Sequence, residues 1–312
     1  MKLFTIQSGV MERVKIQPFK LEREIQDIVE SNLSPLFELE FIKSELTFGD
    51  FRFDTLCFDN ETNSFVIIEY KKGSSYSVID QGYTYLSQLL NNKSDFILEY
   101  NETLGRNIRR DEVDWSQSKV IFISPQFSSY QKNSVNFKNL PFELWEITRY
   151  SNGTIGMNRI HTESDVNIIS GDGSSSKKGG KDVLEEVSKE VIRYDEEFHL
   201  QKSKNRPDSI VELYYNLKER ILNIGEDIEL KFNKQTIGVT QNKNFASLEI
   251  YNKGIKVVLN LKKGELKDPL QWSKDISEKG HWGVGDYQVY VRSDEDLEYV
   301  ISLIKQSYEH QL

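Results

Sequence analysis

Glu69, Tyr70 and Lys71 directly follow the apolar run Phe65-Val66-Ile67-Ile68 and close what reads as a buried β-strand. Side chains two apart on a strand share a face, so the Glu69 carboxylate and the Lys71 ammonium project together from its end. Asp54 stands in Phe51-Arg52-Phe53-Asp54-Thr55-Leu56-Cys57-Phe58, a second strand-like run, and Asp59-Asn60-Glu61-Thr62-Asn63 between the two reads as a turn. If the runs pair as a hairpin, two acids and a lysine converge on one point. Hard carboxylate oxygens of that kind suit a divalent cation, and a lysine beside them could handle water.

A Glu-x-Lys triplet alone means little, because a strand-end ion pair facing water is worth about 0–1 kcal/mol. Three features raise this one above that reading. The pair ends an apolar strand, a second acid precedes it at hairpin distance, and Gln81-Gly82-Tyr83-Thr84-Tyr85 opens a helical pattern that runs on through Leu86, Leu89 and Leu90. Gln81 and Tyr85, at i and i+4, share a helix face.

Asp54, Glu69-Tyr70-Lys71 and Gln81-x-x-x-Tyr85 together resemble the PD-(D/E)XK nuclease pattern, with the Gln-x-x-x-Tyr extension of its RecB-like and NucS-like branches. The resemblance spans roughly residues 18 to 160 and matches the order of acidic helix, Asp54 strand, Glu-x-Lys strand and Gln-x-x-x-Tyr helix. It departs from the pattern at Phe53, where proline would precede the first acid. The resemblance implies a restriction-endonuclease-like fold and a metal-dependent hydrolase of phosphodiester bonds, most naturally in DNA, serving repair or defence against foreign DNA. In that reading Asp54, Glu69 and the Tyr70 carbonyl hold Mg²⁺ or Mn²⁺, and Lys71 orients the attacking water. Gln81 and Tyr85 brace Lys71 or touch the nucleic acid. The superfamily also offers a helix glutamate to the metal. Glu22 and Glu24 flank the apolar stripe of the first helix at similar angles, with Glu22 preferred, and Glu45 is a further candidate. The superfamily includes members that lost catalysis, so the alternative is a nuclease-fold module that binds nucleic acid or protein without turnover. Homodimers are common among such proteins and compatible with this one.

The elements that must position these residues alternate between helix and strand. The spacing of Leu21, Ile25, Ile28 and Val29 predicts a helix over 19–33, followed by strands near 39–46, 51–58 and 64–71 and helices over 77–91 and 94–104. Val120 to Ser124 reads as a buried strand, 127–138 as a helix, and Phe142 to Ile147 and Thr154 to Ile160 as two strands joined at Ser151-Asn152-Gly153. Gly171 to Lys181 is Gly/Ser/Lys-rich and reads as a flexible linker. Beyond it, a charged helix is expected over 183–200 and a helix carrying Ile210, Leu213, Tyr214, Leu217 and Ile221. Strands over 226–232, 236–240, 246–251, 256–261 and 287–291 and a last helix from Leu297 complete the pattern, with Asn252-Lys253-Gly254 as a hairpin turn. This half resembles a small domain of unknown function found behind nuclease-like and restriction-associated modules, over nearly all of 195–310, with Gly280-His281-Trp282-Gly283-Val284-Gly285-Asp286 its most recognisable string. The expected organisation is an α/β protein: a mixed-sheet nuclease-like core flanked by helices over 1–164, a linker over 165–182, and a small α+β domain over 183–312 that recognises a partner or substrate. His281, with Asp286 alone beside it, is too little for a metal motif and reads as a turn residue.

Composition bounds the rest. With 312 residues, 38% hydrophobic and 12% aromatic, the chain is long and apolar enough to bury two cores. No apolar segment approaches the length needed to span a bilayer, and the N-terminus lacks a signal-peptide core. The single cysteine, Cys57, excludes an internal disulfide or a multi-cysteine zinc cluster and fits a reducing cytoplasm. The net charge of −9 is not that of a general polyanion binder: residues up to Ser170 carry 18 basic and 24 acidic side chains, those beyond it 22 and 25. Positive charge for a nucleic acid must then be local, at Arg106, Arg109 and Arg110 or at Lys71 and Lys72.

Overall fold

The computed structural model describes residues 2–49, 51–73, 78–134, 140–160, 187–241, 243–279 and 284–311. The expected linker and the segment Gly280 to Gly283 lie outside the described residues. The chain divides into two compact units, Met1–Ser34 with Leu39–Ile192 and Pro35–Glu38 with Arg193–Leu312. Val187 and Val191 are buried in the core of the first unit. The chain therefore passes into the second unit beyond the expected start at 183.

The first unit opens with a hairpin, β1 (Phe4–Gln7) and β2 (Val10–Arg13), turned by Ser8 and Gly9 with φ of 52° and 81°. The pattern expected as one helix over 19–33 is α1 (Glu22–Glu30), capped at Ser31, followed by the short α2 (Leu33–Phe37). A six-stranded sheet follows in the order β3 (Glu40–Phe48), β4 (Phe51–Asp59), β5 (Ser64–Tyr70), β6 (Lys119–Ser124), β7 (Phe142–Arg149) and β8 (Ile155–Ile160). The β5/β6 and β6/β7 pairs are parallel and the others antiparallel. Asp59 closes the β4–β5 turn by accepting from the amides of Glu61 and Thr62 at 3.0 and 3.2 Å. Parallel neighbours need a long crossover, and α3 (Val78–Asn91) with α4 (Lys93–Leu104) supplies it between β5 and β6. Of the helix expected over 127–138, α5 (Ser129–Ser134) is described, and 135–139 lie outside the described residues.

Every residue of β5 is buried, as expected for a strand covered on both faces. Leu56, Phe58, Phe65, Ile67 and Phe122 pack with Leu86, Leu89 and Phe96 in one core. Gly82 lets α3 sit close to the sheet, since a Cβ there would lie 2.6 Å from the Phe142 ring.

In the second unit, only α6 (Glu196–Gln201) takes up the end of the helix expected over 183–200. Residues 187–190 are helical as well, the helix stops before Val191, and the Asp195 carboxylate starts the next one by accepting from the Phe198 amide at 2.8 Å. After α7 (Asp208–Leu222) come β9 (Glu229–Phe232), β10 (Ile237–Thr240), β11 (Asn244–Tyr251), β12 (Gly254–Leu259), β13 (Lys274–Asp275) and β14 (Tyr287–Val291), then α8 (Leu297–Gln311). These strands form an antiparallel sheet in the order β13-β14-β12-β11-β10-β9. Tyr251 pairs with Gly254, leaving Asn252-Lys253 as the turn. Asp286 staples a loop: its amide donates to Leu261 O at 2.9 Å and its carboxylate accepts from the Lys263 amide at 2.9 Å. Among the described residues no helix is long and apolar enough to cross a membrane.

Candidate active site

The β4/β5 ladder ends at Thr55↔Ile68. One step further, Asp54 would stand opposite Glu69, but there the strands part. The Tyr70 amide donates to the Asp54 carboxylate Oδ2 at 2.9 Å, while the Lys71 amide still donates to Ile123 O at 2.8 Å. So β5 stays hydrogen-bonded to β6 while a side chain, not backbone, bridges the gap to β4. At the same level β3 is irregular too. Between the pairs Ser44↔Thr55 and Leu46↔Phe53, Glu45 takes a left-handed φ of 57°, a conformation uncommon for residues other than glycine. Strand alternation breaks opposite it. Thr55 donates to Glu30 of α1 at 2.6 Å, yet Phe53, two residues away, packs edge-on against Tyr85 of α3 at 4.9 Å. Asp54 sits at this switch of faces.

Glu69 is 4% exposed. Its Oε1 accepts from Lys71 Nζ at 2.6 Å and from Gln81 Nε2 at 2.7 Å. Its Oε2 is buried without a hydrogen-bond partner among the described residues. Gln81 Nε2 also donates to the Tyr85 hydroxyl at 2.7 Å, and that hydroxyl donates to Arg52 O at 3.2 Å. The structure thus brings Asp54, Glu69, Lys71, Gln81 and Tyr85 to one place, with one difference from expectation. Gln81 braces Glu69 and not Lys71, because the acid and the first turn of α3 lie on the same side of β5. The Tyr70 side chain belongs to the opposite face, where its hydroxyl meets Thr55 Oγ1 at 3.0 Å; only its backbone adjoins the site.

The electrostatics are those of a site short of positive charge. Burial, and then the neighbouring Glu69 charge, push the Asp54 carboxyl up to about 7, against the opposing pull of the Tyr70 amide and Lys71. Burial and Glu69 likewise raise the Tyr85 phenol. Glu22 adds to the pressure on Asp54 and accepts from the Lys72 amide at 2.8 Å, which puts it beside the end of β5. The other two candidates are spent elsewhere. Glu24 caps α1 through the amides of Lys20 and Leu21 and pairs with Arg149 at 2.8 Å, and Glu45 pairs with Arg23 and Arg52. Among the described residues no three or more His, Cys, Asp or Glu side chains are grouped to hold a metal. The carboxylates brought together are therefore Asp54 and Glu69, with Glu22 nearby but outside any three-carboxylate group, and Mg²⁺ accepts so few protein ligands because it retains several waters. The buried, unpartnered Glu69 Oε2 and the raised Asp54 carboxyl fit a hard divalent cation.

Of the basic residues singled out, Arg106 is structural: it forks onto both Glu40 oxygens at 2.8 and 2.7 Å and donates to the Tyr100 hydroxyl at 2.7 Å. Arg109 and Arg110 are exposed.

Known proteins bear on the chain in three ways. Residues 200–311 match the family described as Domain of unknown function (DUF5655). An uncharacterized protein of Haemophilus influenzae is 44% identical over 309 residues, covering 98% of this chain and 99% of that one. The chain belongs to that protein's family. Among solved structures, it is similar to EndoMS in complex with double-stranded DNA (13% identity, 43% of this chain and 60% of that chain, TM-score 0.22). It is also similar to a repair endonuclease from Pyrococcus abyssi (14%, 43% and 60%, 0.22) and to Pyrococcus furiosus SfsA in complex with Ca²⁺ (14%, 52% and 78%, 0.26). The chain thus spans less than two thirds of the two endonuclease chains. The family relation extends over the whole length, whereas these structural likenesses are partial.

Proposed function

We propose that the N-terminal unit is a divalent-metal-dependent phosphodiesterase acting on DNA, in repair or in defence against foreign DNA. The observation that carries this reading is the meeting of Asp54, Glu69 and Lys71 where β4 and β5 part, with one Glu69 oxygen buried and unpartnered. DNA as the substrate follows the motif resemblance.

Asp54, Glu69 and the Tyr70 carbonyl would hold Mg²⁺ or Mn²⁺, which when bound supplies charge to polarise a phosphate and lowers the pKa of a coordinated water. The remaining work falls to the chain's own groups. Lys71, tethered to Glu69 Oε1 at 2.6 Å, orients the water and offsets negative charge gathering on phosphorus. A compact ammonium suits that task better than a planar guanidinium. Gln81 holds Glu69 in register, and Tyr85 holds Gln81. Buried supports of this kind set the orientation of metal-binding carboxylates.

The test is incubation of the full chain with labelled duplex, branched and single-stranded DNA and with RNA, first with Mg²⁺ and then with Mn²⁺. Calorimetric titration with Mn²⁺ runs alongside. Cleavage that needs the metal, with Mn²⁺ binding weakened by Asp54→Asn, is the expected result. No cleavage of any substrate, together with Mn²⁺ binding that is absent or indifferent to Asp54→Asn, overturns the reading in favour of a non-catalytic binding module.

A further inference from the structure

The second unit contains a cleft of about 620 Å³ lined by His199, Lys202, Ser203, Arg206, Gln235 and the end of the β11–β12 hairpin from Glu249 to Lys253. That volume lies within the range of small-molecule sites, and the charge lining it runs against the acidity of the chain.

Lys202, Arg206 and Lys253 line the cleft, and none of them is ion-paired with a carboxylate among the described residues. Lys202 Nζ donates to Lys234 O at 3.1 Å and to Gln235 Oε1 at 2.9 Å, leaving its third proton unspent. Arg206 is fixed by two carbonyls, with Nε donating to Leu200 O and Nη2 to His199 O, each at 3.0 Å. Its Nη1 is buried without a hydrogen-bond partner among the described residues. Lys253, at the hairpin turn, is exposed and makes no hydrogen bond or ion pair among the described residues. The one lining carboxylate, Glu249, is ion-paired with Lys256 and accepts from the Tyr251 hydroxyl at 2.6 Å, and its charge also acts on Lys202. His199 adds no charge near neutrality, because burial holds it to about 4.

A buried guanidinium nitrogen with no acceptor is a costly arrangement, and guanidinium N–H groups suit phosphate oxygens. Burial, together with the neighbouring Lys234 and Arg206, lowers the Lys202 ammonium despite Glu249, a repulsion that an anion would relieve. The cleft is much larger than inorganic phosphate. Tyr251, 45% exposed at its rim, offers an aromatic ring, and Ser203, Gln235 and Asn252 offer uncharged polar groups for a sugar or base edge.

We propose that this cleft binds a phosphate-bearing ligand of mononucleotide size, with the phosphate on Lys202, Arg206 and Lys253 and the ring against Tyr251. The ligand is either a free nucleotide or the 5′-phosphorylated end of a nucleic acid strand. The site lies wholly within the second unit and does not depend on hydrolysis by the first.

The test uses the full-length chain in EDTA, so that metal-dependent binding elsewhere does not contribute. Inorganic phosphate, deoxyadenosine, deoxyadenosine 5′-monophosphate and a fluorescent oligonucleotide with and without a 5′-phosphate are titrated in turn. The expected result is that a phosphorylated probe binds at least about tenfold more tightly than its unphosphorylated counterpart, and that Lys202→Ala with Lys253→Ala removes about tenfold or more of that affinity while leaving thermal unfolding unchanged. Arg206→Lys, which keeps charge and loses the fork, should weaken it as well. Preference for the monophosphate assigns the free nucleotide, and preference for the oligonucleotide assigns the strand end. The proposal is overturned if no phosphorylated probe binds at millimolar concentration, if the nucleoside binds as well as its monophosphate, if inorganic phosphate binds as tightly as the nucleotide, or if the double variant binds normally. A double variant that loses binding yet keeps metal-dependent cleavage separates this site from the hydrolytic one.

Discussion

Gln81 Nε2 donates to Glu69 Oε1 at 2.7 Å, so the first turn of α3 is fastened to the end of β5 by a side-chain amide. The crossover between two parallel strands is thereby tied to the carboxylate it passes over. Three expectations follow from this tie and its surroundings, and a fourth from the second unit.

Glu69→Gln and Lys71→Met should each reduce DNA cleavage below detection while leaving far-UV circular dichroism unchanged. Both side chains sit at the strand end, beyond the last β4/β5 pair, so the ladder that forms the core is untouched. Purified variants that still cleave in a metal-dependent way would remove these residues from the reaction.

Tyr85→Phe deletes the hydroxyl that accepts from Gln81 and donates to Arg52 O. Outer supports of metal-binding groups are commonly worth about 10–100-fold in activity or metal affinity. The loss should appear in cleavage rate and Mn²⁺ affinity together, with stability lower by only about 1 kcal/mol. Denaturant melts beside calorimetry distinguish this from general destabilisation.

Gly82→Val tests how closely α3 must approach the sheet. The nearest obstacle is the Phe142 ring, held edge-on by Tyr83 at 5.0 Å and Phe122 at 6.2 Å. Overpacking of this kind costs about 1–3 kcal/mol, read as a lower melting temperature. Gln81 should move with the helix, so cleavage should fall further than the lost stability alone explains.

His199 sets a pH dependence in the second unit. Its imidazole falls from 6.5 to about 4 on folding, chiefly through burial. Between those values the unfolded chain takes up a proton that the folded chain refuses, so stability is full above pH 6.5 and is lost as pH falls towards 4. The loss is roughly 3 kcal/mol at most. Comparing denaturant midpoints at pH 7.5 and 4.5 for the native chain and His199→Gln isolates the effect, since glutamine can still donate to Asn233 O. A variant that loses as much stability as the native chain would contradict this origin.

The sequence made some of this legible and hid the rest for physical reasons. Period-two alternation and the fully apolar Phe65–Ile68 run located β4 and β5, and the i, i+4 spacing of Gln81 and Tyr85 placed both on one helix face. Partner choice was not legible. Gln81 could reach Glu69 or Lys71 until the side of β5 facing α3 was known. Glu22 and Glu24 lay at similar angles until the Lys20 and Leu21 amides and Arg149 claimed Glu24. The left-handed Glu45 gave no signal, since nothing in Ser44-Glu45-Leu46 demands positive φ; sheet pairing imposes it. The hairpin at Ser8-Gly9 did carry a signal, a two-residue turn type between alternating residues, but its exposed apolar side chains fit no core pattern. The cationic cleft had none, because Lys253 comes from the β11–β12 hairpin, far along the chain from Lys202 and Arg206.

Asp54 doubles as scaffolding, with its carboxylate standing where a main-chain oxygen would ordinarily receive the Tyr70 N–H. Shortening it to alanine would strand that amide inside the protein and blur a chemical defect with a structural one. Asparagine keeps an oxygen in place, which makes it the isosteric choice for a form meant to trap an uncut substrate.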